Sequence, residues 1–240
     1  MSTKLASALA ALAIGITLPA AVALAQPATP PADAMTDPAL KREDVIAFIG
    51  VKPGDKVADI VSGRFVRALS AAVGPKGKVY AVMPAEVVKV HPEVEGMLKG
   101  AAGASGNVEV LTPPVNAMAL PAAGLDAVFI RQNYHDLYDK FMGPADVAGF
   151  NKQVFAALKP GGVYVILDHA AAKGAPDNVT ETLHRIDEDR VKKDVLAAGF
   201  KLDGESKALA NAADDHSKMV FDPSIRGKTD QFLLRFRKPK

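Results

Sequence analysis

Short apolar runs recur along the chain and alternate with amphipathic stretches. The runs are "KVADIV" (56–61), "KVYAVM" (78–83), "NVEVL" (107–111), "GLDAVFI" (124–130) and "VYVILD" (163–168). Each is bounded by Gly, Pro or Asp, as a buried strand is. Between them, Phe65, Leu69, Ala72 and Val73 fall on one helical face, and 85–99 reads as a helix interrupted at His91-Pro92. Asp37-Pro38 opens a helix that Gly50 ends. Gly143-Pro144-Ala145-Asp146 starts another, which Lys159-Pro160-Gly161-Gly162 stops. A helix over about 180–198 is followed by the strands "FKLDGES" (200–206) and "DQFLLRFRK" (230–238). Strand and helix alternate five times, which predicts an α/β, doubly wound, mainly parallel sheet of seven strands. No amphipathic helix separates strands six and seven, so the last strand is expected to run antiparallel.

The first 40 residues break this rhythm. Lys4 precedes an apolar run from Leu5 to Leu24, and Ala23-Leu24-Ala25 is a cleavage-type triplet. These features predict a secretory signal peptide over 1–25 rather than a lasting membrane anchor. A Pro/Ala-rich linker over 26–40 and a domain over 41–240 follow. The expected location is a bacterial periplasm or the outside of the cell. Net charge is +2, or +1 (2 − 1) once Lys4 is removed, which argues against nucleic acid as a partner. There is no cysteine, so disulfides, thiolate metal sites and thiol nucleophiles are excluded. Apolar residues make up 49% of the chain, enough for a sizeable core.

"AALKPGGVYVILDH" (156–169), "VKPGDKVADI" (51–60) and "GPKGKVYAV" (74–82) resemble the fifth, first and second strand regions of class I S-adenosylmethionine-dependent methyltransferases. "RQNYHDLY" (131–138), "RIDEDRVKKDVLAAGFKL" (185–202) and "VFDPSIRGKTDQFLLRFRKP" (220–239) resemble a narrower group of secreted bacterial predicted methyltransferases. The resemblance spans about 40–240. It implies a Rossmann-like sheet with the last strand inserted beside the fifth, and S-adenosylmethionine as cofactor. It places that cofactor on the turn after the first strand. There Asp59 matches the family's acidic position and Gly63 one of its glycines, with Ser62 and Arg64 beside them. Arg64 departs from the pattern and would either block the methionine pocket or capture a carboxylate. Where the family has an acid for the ribose, this chain has Met83 or Pro84, with Glu86 slightly late.

Dense polarity after the fourth strand marks a pocket rim. Arg131 and Asn133 and Tyr134 are expected to hold a substrate, and His135 to act as a general base. Asp168 and His169, at the end of the fifth strand, are expected beside them. His135, His169, His184 and Asp187 make a loose metal constellation, but no compact ligand motif is present and no metal is assigned. The long connection 207–229 offers Arg226 and Lys228 to an anionic group. The leading expectation is a methyltransferase acting on an unidentified small molecule or protein. The alternatives are a non-catalytic binding protein on the same fold and, behind it, a hydrolase using His135 and His169.

Overall fold

The computed structural model describes residues 33–143 and 145–240; the expected signal peptide and the first part of the linker lie outside them. A 3-10 turn over Pro38–Leu40 is capped by Asp37, whose side chain accepts from the Ala39 N–H. Lys41 then turns into the left-handed region and α1 (Arg42–Ile49) begins, ending at Gly50. The alternating unit follows as β1 (Lys56–Ile60), α2 (Val66–Val73), β2 (Lys78–Val82), α3 (Ala85–Val90), α4 (Glu93–Gly103) and β3 (Val108–Leu111). Next come β4 (Leu125–Arg131), α5 (Val147–Ala157) and β5 (Leu158–His169). The chain closes with α6 (Val179–Leu183), α7 (Glu188–Ala197), β6 (Lys201–Ser206) and β7 (Gln231–Arg237).

The seven strands are ordered β3-β2-β1-β4-β5-β7-β6. The first five pair in parallel, and β7 runs antiparallel to both β5 and β6. Helices on both faces explain why the central strands are apolar throughout: Ala127 to Ile130 of β4 and Val165 to Leu167 of β5 are all buried. The edge strand β6 is exposed and charged, and its Asp203 holds Arg235 and Arg237 of β7. Gly77 is needed where α2 turns into β2. A Cβ there would lie 2.5 Å from Val73 Cβ and 2.7 Å from the Asp55 carbonyl oxygen. Among the described residues no helix is long and apolar enough to cross a membrane.

Four local readings change. The helix expected from Asp37-Pro38 to Gly50 is split, because Lys41 takes a left-handed backbone between the Pro38–Leu40 turn and α1. "LKPGG" does not stand outside the fifth strand, because β5 takes in Leu158 and pairs it with Leu125 across a register shift. The helix expected over 180–198 is two helices. His184 adopts φ 52°, and Ile186 bridges to Ala170, so the chain cannot stay helical there. Residues 33–40, read from sequence as linker, pack against the turn after β1. Ala34 N–H donates to the Arg64 carbonyl at 2.8 Å, Asp33 pairs with Arg67 at 3.0 Å, and Leu40 is buried.

Candidate functional site

Strand order reverses between β1 and β4, where an open α/β sheet holds its ligands beyond the carboxyl ends of the strands. At the tip of β1, Val61 has φ 49°, a left-handed conformation that is costly for a β-branched residue. Two bonds hold it there. Ser62 N–H donates to the Val82 carbonyl at 3.0 Å, and Ser62 Oγ donates to Asp59 Oδ2 at 2.6 Å. Burial pushes the Asp59 carboxyl up to about 6, against the opposing pull of Ser62, the Gly63 N–H and the Arg131 charge. Gly63 is exposed, and a Cβ on it would meet nothing within 4 Å, so the space above the turn is open. Arg64 is turned toward the 33–40 segment, with Nη2 2.6 Å from Asp37 Oδ2.

Beside this turn lies a cleft of about 260 Å³, bounded by the tips of β4 and β5 and the 207–230 connection. Arg64, Arg131, Gln132, His169, Arg226 and Thr229 line it. Three arginines therefore line one space, with Asp37 as the one acidic residue among its lining. Arg131 Nε is buried and has no hydrogen-bond partner. Burial first, then the nearby Arg64 charge, lowers Arg131 to about 10. Gln132 has φ 56°, held by its N–H on the Leu167 carbonyl and its amide on Gln231. His169 is not cationic, because burial drives it down to about 3, and its Nδ1 meets Thr229 Oγ1 at 2.8 Å. Arg226 lies over the Phe221 ring. Lys228 is exposed and is not among the lining residues.

The rest of the polar rim does not open into this cleft. Tyr134 is fully buried, and its hydroxyl accepts from Asn151 Nδ2 at 2.8 Å. His135 is 2% exposed. Its Nδ1 lies 2.8 Å from Asp168 Oδ1, and its Nε2 lies 3.2 Å from Asp136 Oδ1. Burial disfavours the imidazolium, but the two carboxylates outweigh it and raise His135 well above its ordinary value. Asp168 is wholly buried and also accepts the His135 and His169 N–H groups. Asn133 spends its amide on Asp136 at 2.6 Å. Thus Tyr134, His135 and Asp168 are placed too deep to touch a ligand in the cleft. Glu86 accepts from the Val115 N–H at 3.0 Å, which ties α3 to the segment after β3. Met83, which with Pro84 stands where the family's ribose acid is expected, is buried.

Sequence reasoning missed Arg185. Its side chain is completely buried and pairs with Asp214 at 2.9 Å. It also donates to the carbonyls of Lys218 and Ala170. This pins the long connection that walls the cleft. No periodic pattern announces such a residue; the only signal is a cation next to the buried Ile186.

Other solved proteins share this fold over most of the chain. A SAM-dependent methyltransferase from Aquifex aeolicus superposes with TM-score 0.57 at 24% identity, covering 82% of this chain and 88% of that one. The fold is the Rossmann-like methyltransferase fold. The [4+2]-cyclase SpnF matches with TM-score 0.60 at 14% identity over 84% of this chain and 80% of its own. Phosphoethanolamine N-methyltransferase 2 from Haemonchus contortus, in complex with S-adenosyl-L-methionine, matches with TM-score 0.58 at 13% identity. That match covers 84% of this chain and 53% of that one. No family model matches the sequence, and no curated protein matches it.

Proposed function

We propose that this chain is an S-adenosylmethionine-dependent methyltransferase whose acceptor carries an anionic group, and that it works outside the cytoplasm after losing its leader. One juxtaposition carries the reading: the open Gly63 turn, braced by Asp59 and Ser62, stands beside a cleft lined by Arg64, Arg131 and Arg226. The residues fit the cofactor's methionine end, since the turn is open and Arg64 is drawn aside to Asp37. They fit its ribose less closely, since Met83 or Pro84 stands where the acid is expected and Glu86 is already engaged by Val115. When bound, the cofactor supplies an electrophilic methyl group. The protein's share is positioning. Ser62 and Gly63 would approach the cofactor through the backbone, and the arginines would hold and orient the acceptor's charge. Such transfer needs few catalytic side chains, so the burial of His135 does not count against it.

Calorimetry of the mature chain with S-adenosylmethionine tests this. A dissociation constant below about 100 µM, roughly 5.5 kcal/mol, is expected. Gly63→Leu should weaken it at least tenfold with little change in melting temperature, because Gly63 is exposed and a Cβ there would meet nothing within 4 Å. Absence of heat at millimolar cofactor would defeat the reading. The second reading, a binding protein for an anionic ligand, would then stand on the arginine cleft alone. The buried Met83 favours it, and the cyclase SpnF shows that this fold does not fix methyl transfer as the function.

A further inference from the structure

Beneath the tip of β4 lies a second polar cluster that the proposed transfer does not use. His135, Asp136, Asp139 and His184 each direct one donor atom into a common space, and these atoms lie within 4.8 Å of one another. His135 and Asp136 come from the 3-10 turn His135–Tyr138, Asp139 follows it, and His184 caps α6. The His135 and His184 rings meet edge to face with centroids 5.5 Å apart. Phe221 packs on His184 from the other direction.

Two observations point to a cation at this cluster. Asp139 is 3% exposed, yet its Oδ1 has no hydrogen-bond partner. A buried carboxylate oxygen left without a donor is a rare and costly arrangement. In addition, Asp136, Asp139 and Asp168 crowd together, and among the described residues their ion pairs are made with His135 alone. The outer contacts are also those of a ligand set. Asp168 fixes His135 through Nδ1, which leaves Nε2 aimed at the cluster, and Asn133 fixes the far oxygen of Asp136. A carboxylate behind a histidine orients the imidazole and raises its basicity as a ligand.

We propose that His135 Nε2, Asp136, Asp139 and His184 form a binding site for a divalent first-row transition-metal ion of the zinc class. Two imidazoles with two carboxylates favour such an ion over magnesium or calcium, which take oxygen donors. Tetrahedral bonds of about 2.0–2.2 Å place ligand atoms about 3.3–3.6 Å apart, so the widest pair must close by at most about 1.5 Å. Side-chain rotation supplies that, and His184, which is only half-buried, has room to move. The ion takes the place of the proton on His135 Nε2, so binding releases a proton and weakens in acid. It joins the tip of β4 to α6.

The test uses the mature, untagged chain after removal of metal with chelator. Zn²⁺ is titrated by calorimetry, and Co²⁺ is followed by its visible ligand-field bands. One equivalent with micromolar or tighter affinity is expected. Asp139→Asn and His184→Asn should each weaken it at least tenfold, while the metal-free variants keep the far-UV spectrum of the parent. Asparagine suits position 184 because it tolerates the left-handed backbone there. If Asp139→Asn does not fold, His184→Asn decides alone. No stoichiometric binding at 100-micromolar metal, roughly the weakest affinity of interest, overturns the proposal. So does binding that is unchanged in the folded variants, which would place the ion on surface groups.

Discussion

Replacing Asp214 with Ala should destabilise the protein by about 3 kcal/mol, the lower end of the cost of breaking a buried ion pair. The side chains of Arg185 and Asp214 are 0% and 1% exposed and lie 2.9 Å apart. Removing the carboxylate leaves a guanidinium in the interior without a counter-charge. Two terms set the size. Arg185 keeps its bonds to the Lys218 and Ala170 carbonyls, which limits the loss. Asp214 also accepts the N–H groups of Asp230 and His216, and those are orphaned with it. In a domain of this size about 3 kcal/mol corresponds to a fall in Tm of about 6–12 °C. Urea unfolding at neutral pH measures it. The double variant Arg185→Met/Asp214→Leu should recover most of the loss, because a packed apolar pair replaces both charges. Limited proteolysis should cut the 207–230 connection of Asp214→Ala faster than that of the parent. Burial works to raise the Asp214 carboxyl, but its N–H donors and Arg185 hold it below the ordinary range. Its contribution is therefore present above the unfolded carboxylate value and lost only as pH falls below it. A loss under about 1 kcal/mol, or a double variant no better than the single, would refute the reasoning.

The Asp59 carboxyl, raised to about 6 in the fold from 3.8, binds more protons folded than unfolded between those values. Its contribution is full below pH 3.8 and lost as pH rises through 6. The stability gained by Asp59→Asn relative to the parent should therefore grow by on the order of 3 kcal/mol between pH 4 and pH 7; an equal gap at both pH values in urea unfolding would be inconsistent with this. Arg131→Met should change stability by less than about 1 kcal/mol, since it removes a half-buried cation whose Nε has no hydrogen-bond partner. The same variant should weaken calorimetric binding of inorganic phosphate at least tenfold, and unchanged binding would remove Arg131 from the anion cleft.

The scaffold was legible because its signals are local. Strands β1, β2, β4 and β5 are apolar runs bounded by turn residues, and the antiparallel β7 followed from the missing crossover helix. The site was legible only in part, because depth is not local. The stretch after β4 is uniformly polar in sequence, yet the fold sorts it. Arg131 and Gln132 line the cleft, whereas Tyr134, His135 and Asp136 go inward. A polar residue is stable inside only with a partner, and here the partners are distant. Asp168 lies 33 residues from His135, and Asp214 lies 29 from Arg185. A reading along the chain meets each as an unpaired charge and assigns it to the surface or to a pocket. The same blindness separates His184 from Asp187. Sequence spacing joins them on one helix, but the left-handed turn at His184 ends α6, and Asp187 becomes the N-cap of α7. That break is what frees His184 to face His135, so the turn that spoils the helical reading also assembles the proposed metal centre.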